Sequence, residues 1–229
     1  MSAMPFPWYT TRPEAVAFDM DGTLLNSGLF GVQAISAAFA ELIAAGRLPG
    51  LQTAPGGDLI KAQIGKPPAE FYRDLLPPSL QHHDHLLHET VIVHERRLLL
   101  DGTGRLFDGT AEVLRELHRR GHDLLLVSNC SQEYMDTVLD VFGLRGLFVF
   151  TAAAGRSTAL SKRGELHRGL RRAGSLAAVM VGDRVHDGDA ARACGAWFVG
   201  CTYGYGRREE LAGADALIAD IRELPALLG

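Results

Sequence analysis

The spacing of apolar residues changes character twice along the chain. From Val16 to Phe18 they run unbroken into Asp19 and Asp21, which predicts a strand buried on both faces and ending in polar residues. From Asn26 to about Gly102 the spacing becomes helical. Ile35, Phe39, Leu42 and Ile43 predict a helix over 33–45, and shorter helices are expected over 58–64 and 68–76. A long helix over 79–100 should follow, with Ser79 as its N-cap. Nothing in this region reads as a strand.

From Phe107 the rhythm alternates. Helices are expected over 110–120, 132–142, 158–173, 189–194, 207–211 and 221–228. Strands are expected over 123–127, 147–150, 177–181, 196–200 and 216–218. Strands this apolar have no wet face, so they imply a parallel sheet covered by helices on both sides. The predicted class is α/β: a doubly wound parallel sheet, a Rossmann-like core, with an inserted α-helical domain. Residues 1–26 and 104–229 would form the core and 27–103 the insert, with 1–14 a loose, proline-containing lead-in.

Composition narrows the partners. An apolar content of 47% in 229 residues is enough for a large core. A net charge of −4 leaves no basic footprint for nucleic acid. No apolar run reaches the roughly 20 residues that cross a bilayer, and the first residues lack the basic and apolar regions of a signal peptide. Cys130, Cys194 and Cys201 stand singly, as expected of free thiols in a reducing cytoplasm.

The chemistry gathers at predicted strand ends, where ligands sit in such sheets. Asp19 and Asp21 are two residues apart and should emerge on one face, with Gly22 turning the backbone behind them. Two carboxylates about 4 Å apart repel by roughly 4 kcal/mol at an effective dielectric of 20, which calls for a cation or a shared proton. Ser128 and Asn129 end another strand, and Asp183 with Asp187 a third. Ionised Asp19 can attack an electrophilic centre, and Asp21 can give and take the proton. Asp183 and Asp187 add hard oxygen ligands suited to Mg²⁺. Ser128 can hold phosphoryl oxygens, while Lys162, or failing it Arg156 or Arg163, neutralises their charge.

In order along the chain, DMDGTL at 19–24, LVSN at 126–129, Lys162 in SKRGEL at 161–166, and VGDRVHD at 181–187 resemble the four motifs of the haloacid dehalogenase-like hydrolases. The resemblance covers the whole core. It implies Asp19 as nucleophile and Asp21 as acid/base. Asp19, the carbonyl of Asp21, Asp183 and Asp187 would serve around Mg²⁺, with Thr23, Ser128, Asn129 and Lys162 around the phosphoryl group. The helical insert resembles the cap of the phosphoglycolate phosphatase-like branch. The chain departs from the pattern at three points. No proline follows Lys162, Arg184 stands where a small hydroxyl residue is common, and Cys194 replaces a usual alanine.

The expected activity is a Mg²⁺-dependent phosphomonoester hydrolase acting on a small phosphorylated metabolite, with no nucleic acid or membrane partner. A sugar phosphomutase on the same scaffold is the nearest alternative, and a phosphoaccepting signalling module the alternative from another class. Lys66, in IGKPP at 64–68, is either part of a helix stop or a cap contact to an anionic substrate tail. His82, His83, His85 and His88 form a tempting metal cluster, but without a ligand motif they read as a solvated face.

Overall fold

The computed structural model describes residues 13–155 and 161–229; the lead-in over 1–12, the first residues of the helix expected over 158–173, and Arg156 lie outside them. Six parallel strands form one sheet in the order β3-β2-β1-β4-β5-β6. They are β1 (Ala15–Phe18), β2 (Asp123–Ser128), β3 (Phe148–Ala153), β4 (Ala178–Gly182), β5 (Trp197–Cys201) and β6 (Ala216–Ile218). The order reverses between β1 and β4, the switch point at which a crevice opens in doubly wound sheets.

Strand alternation divides the core in two. Val16, Phe18, Leu124, Leu126, Val179 and Val181 point to one face, under α5 (Thr110–Arg119), α6 (Gln132–Val141) and α9 (Leu224–Leu228). Ala15, Ala17, Leu125, Val127 and Met180 point to the other, under α7 (Lys162–Ala173) and α8 (Val185–Cys194). The small side chains of β1 on this second face let those helices approach closely. Gly169 of α7 shows how closely: a Cβ there would lie 2.5 Å from Leu125.

Between β1 and α5 the chain makes α1 (Gly28–Ala44), α2 (Gly57–Gln63), α3 (Pro68–Asp74) and α4 (Asp84–Leu100). These helices bury their own apolar cluster, which includes Ile35, Phe39, Ile60, Tyr72, Leu87 and Val91. Two connections join them to the sheet and run side by side: Asn26 N–H donates to the Arg105 carbonyl at 2.9 Å and Phe107 N–H to that of Leu24 at 2.9 Å.

Three expected helices differ here, the one over 207–211 being a 3₁₀ turn at Arg208–Leu211. The helix over 79–100 is broken, and Ser79 is not its N-cap. A 3₁₀ segment spans Pro78–His83 and α4 starts afresh at Asp84. Pro78 opens a tight turn, and Asp84 takes the His85 N–H on its own carboxylate at 2.8 Å, so the restart lies at Asp84. The terminal helix expected over 221–228 is likewise a 3₁₀ turn (Ile221–Glu223) followed by α9, in which Pro225 takes a first-turn position. Among the described residues, no helix is long and apolar enough to cross a membrane.

Candidate active site

β1 and β4 bring the first and last acidic motifs to one point. Asp19 follows β1 directly, and its N–H still donates to the Val181 carbonyl at 2.9 Å. Asp183 follows β4, and Asp187 lies in the first turn of α8. Ligand oxygens of Asp19, Asp183 and Asp187 lie within 4.8 Å of one another, all three residues being buried. Lys162 opens α7, whose N-cap Ser161 accepts the Gly164 N–H. Its Nζ lies 2.7 Å from Asp19 Oδ1 and 2.7 Å from Asp187 Oδ1. Arg163, the next residue, is exposed.

The remaining oxygens are held by the backbone around them. Asp183 Oδ2 accepts from Tyr205 N–H at 2.7 Å and Gly206 N–H at 3.1 Å, and its Oδ1 accepts from Thr23 Oγ1 at 3.3 Å. Asp187 Oδ2 accepts from Arg184 N–H at 2.9 Å. Asp19 Oδ2, also buried, accepts from nothing. Glycine makes this crowding possible. Gly22 has φ +83°, and a Cβ there would fall 2.4 Å from Asp183 Oδ2, while one at Gly206 would fall 1.7 Å from the Asp183 carbonyl oxygen.

Two of the three carboxylates, Asp19 and Asp187, share one ammonium. Burial pushes Asp187 up to about 6, with Asp19 adding and Lys162 opposing. Burial, then Asp19 and Asp187, push Asp183 well above the usual carboxylate range. Burial works against the Lys162 charge, but Asp187 and Asp19 outweigh it and hold the ammonium firmly protonated. The site is short of positive charge, and its donors are hard oxygens including one orphaned carboxylate oxygen. That donor set fits Mg²⁺.

Asp21 is separate from this trio and faces a small cleft between the sheet and the helical segment. Tyr134 Oη donates to its Oδ1 at 2.9 Å. Burial and then the charge of Asp19 push its carboxyl up to about 6, with the hydroxyls of Ser27 and Tyr134 offsetting part of the rise. Ser128 and Asn129 line the same cleft. The Asn129 amide donates to the Gly65 carbonyl at 3.0 Å. Thr23 is fully buried and turned toward Asp183.

Across the cleft the helical segment contributes Lys66, but its Nζ is occupied: it lies 2.9 Å from Asp74 and 3.6 Å from Glu70. The four histidines do not converge, although the His82 and His83 rings lie 4.0 Å apart. His82 and His85 are exposed, whereas His88 is buried against Tyr72 with ring centroids 4.6 Å apart. Cys130, Cys194 and Cys201 are free thiols.

Three contributors carry no signal of their role in the sequence: Tyr134, Arg184 as a cross-cleft contact, and Glu95 in the cleft wall. Tyr205 is marked by the glycine-rich loop TYGYG at 202–206, because small residues at a strand end permit close approach to a buried group. Arg184, a departure from the fourth motif, gains a role here. Its guanidinium donates to the Ile64 carbonyl and, at 2.9 Å, to Glu210. Nothing in the spacing of Tyr134 or Glu95 set them apart from ordinary helix residues.

A doubly wound parallel sheet with a buried acidic centre at its switch point defines a Rossmann-like α/β enzyme. The chain belongs to the haloacid dehalogenase-like hydrolases, whose family model matches residues 13–195. It is similar to phosphoglycolate phosphatase of Pseudomonas putida, 27% identical over 93% of this chain and 79% of that one. It is also similar to phosphoglycolate phosphatase of Vibrio cholerae, 28% identical over 87% and 89%. Tyrosine-protein kinase PtkA of Mycobacterium tuberculosis is 29% identical over 95% and 73%. Among solved structures, a predicted phosphoglycolate phosphatase of Haemophilus somnus superposes with a TM-score of 0.80 at 20% identity, over 96% of this chain and 100% of that one. CbbY of Rhodobacter sphaeroides, solved with phosphate, gives 0.73 at 25% identity, over 94% and 99%. With these relatives, the enzyme is a phosphatase.

Proposed function

We propose that the protein is a Mg²⁺-dependent phosphomonoesterase that hydrolyses a small phosphorylated metabolite through a phosphoaspartyl group on Asp19. The observation that carries this reading is the orphaned Asp19 Oδ2, buried at the sheet's switch point beside Lys162, Asp183 and Asp187. Asp19, Asp183, Asp187 and the carbonyl of Asp21 would hold the ion, which when bound neutralises the crowded anions and the incoming phosphoryl oxygens. Thr23, Tyr205 and Gly206 keep Asp183 oriented toward it.

The chain's own groups then act in sequence. Asp19 attacks phosphorus as the ester P–O bond breaks. The leaving oxygen takes a proton from Asp21, whose raised pKa near 6 keeps it close to both protonation states. Asp21 next takes a proton from water as that water attacks phosphorus, and the Asp19–phosphorus bond breaks to restore the carboxylate. Lys162 and Ser128 would stabilise the phosphoryl oxygens throughout. Residues 27–103 serve as the cap over a core of 1–26 and 104–229, excluding bulk water from the cleft.

Phosphate release from a panel of phosphorylated metabolites with Mg²⁺ tests the reading. Expected is turnover that is lost with a chelator; activity indifferent to chelation would sink it. The kinase-named relative favours one second reading, in which the phosphoryl group passes to a hydroxyl other than that of water. Formation of a phosphorylated isomer or acceptor in place of inorganic phosphate would establish that reading instead.

A further inference from the structure

The phosphoryl chemistry leaves one wall of the cleft unaccounted for. Glu95, on the inner side of α4, lines the cleft with Asp21 and Tyr134. Burial and then the charge of Asp21 push its carboxyl up to about 8, so it sits in a poorly solvated, negatively charged environment that a donor would relieve. Lys66 is the one lysine or arginine among the described lining residues, and its ammonium is already paired with Asp74 and Glu70. Apart from the Ile35, Ile64, Phe71 and Ile92 side chains, which suit a short carbon body, this half of the cleft offers little to an anion. Ser27, only 5% exposed, also lines the cleft, with its hydroxyl beside Asp21.

We propose that Glu95 sets substrate choice. It selects compact phosphomonoesters whose alcohol portion carries an ammonium or hydroxyl donor and rejects those ending in a carboxylate or a second phosphate. The inference rests on the phosphomonoesterase reading and sharpens it away from phosphoglycolate. A hydroxyl or ammonium donor in the alcohol portion would meet an oxygen of the Glu95 carboxyl, an ammonium displacing to bulk water the proton that burial keeps on Glu95 in the free enzyme. A terminal carboxylate would instead be buried beside Glu95 and Asp21 without a free cation, an arrangement that buried sites penalise strongly.

The test compares kcat/KM for ethanolamine phosphate, glycerol phosphate and phosphoglycolate, with p-nitrophenyl phosphate and Mg²⁺ establishing turnover in the wild type. The wild type is expected to favour ethanolamine phosphate over phosphoglycolate by about tenfold or more. Glu95→Gln, close to isosteric, should collapse that ratio toward unity, and Glu95→Lys should invert it. Should Glu95→Lys fail to fold, the ratio in Glu95→Gln decides. Turnover of p-nitrophenyl phosphate with a preference that Glu95→Gln does not move overturns the Glu95 assignment alone. No turnover of any ester by the wild type removes the phosphomonoesterase reading and this inference with it.

Discussion

The sheet and the helical segment that meet at the cleft are built on different principles. On the sheet side, Asp19, Asp183, Asp187 and Lys162 project from strand ends and helix starts, are almost wholly buried, and share short hydrogen bonds. On the helical side, Lys66 leads into the start of α3, Glu95 and His88 ride on α4, and the polar groups belong to separate surroundings. A wall rooted in a parallel sheet cannot shift without breaking strand pairing, which suits chemistry that demands fixed distances. A wall attached through two connecting segments can move or mutate at small cost, which suits substrate choice. Changes on the sheet side should therefore abolish turnover, and changes on the helical side should redistribute it.

Asp19→Asn gives the largest effect. The amide keeps the shape and can still accept from Lys162, but it is a far poorer nucleophile. Phosphate release should fall by at least about 10³-fold with thermal unfolding little changed; retained turnover would remove Asp19 from the chemistry. Lys162→Ala comes next. It leaves buried carboxylates without their ammonium, a loss of about 3–5 kcal/mol, measurable by denaturant unfolding alongside loss of activity. Added Mg²⁺ should recover part of that stability, since an ion bound only by the folded chain stabilises it. An Asp183→Asn variant should lose the thermal shift that Mg²⁺ gives the wild type, a readout independent of turnover.

Arg184→Ala tests how firmly the walls are joined. It cuts the contacts to Ile64 and Glu210 while Asn129 still holds Gly65. A fall of roughly tenfold in kcat/KM, carried mainly by KM, is expected together with faster proteolysis over 64–68. An unchanged KM would mean that the walls stay together without it.

The smallest effect is on stability. Glu95 has a folded pKa raised to about 8 from 4.5, so the folded state keeps a proton that the unfolded chain loses between those values. Stability contributed there is full below pH 4.5 and is lost as pH rises toward 8. Asp21, Tyr134, Cys130, Tyr72, His88 and Lys66 are the other charged and titratable groups that line the cleft. Glu95→Gln should therefore melt higher than the wild type at pH 8, by about 1 kcal/mol or ~2–4 °C, with the gap closing toward pH 5. A gap of constant size would show that Glu95 does not titrate differently on folding.

The sheet and its order of elements were legible because each strand is a short apolar run ending in a polar cluster, a pattern carried entirely by neighbours in sequence. Local signals failed where a boundary depended on competition between turns. Residues 78–83 form a 3₁₀ turn rather than the start of α4, although their apolar spacing matches a helix. The acids and Lys162 were visible as types at strand ends and helix starts. Their pairings were not, because a 2.7 Å contact between residues 143 apart leaves no trace in spacing.

Periodicity and the placement of polar residues after apolar runs determined by themselves the α/β class, the helical insert and the short set of residues able to do chemistry, since those features are written in residues adjacent along the chain. Folding alone decided that Thr23 turns to Asp183, that Asn129 and Arg184 clasp the loop at Ile64 and Gly65, and that Glu95 faces Asp21. Each of those depends on how one helix rotates and how near two distant segments pack, and both are set by the sum of many core contacts rather than by any residue alone.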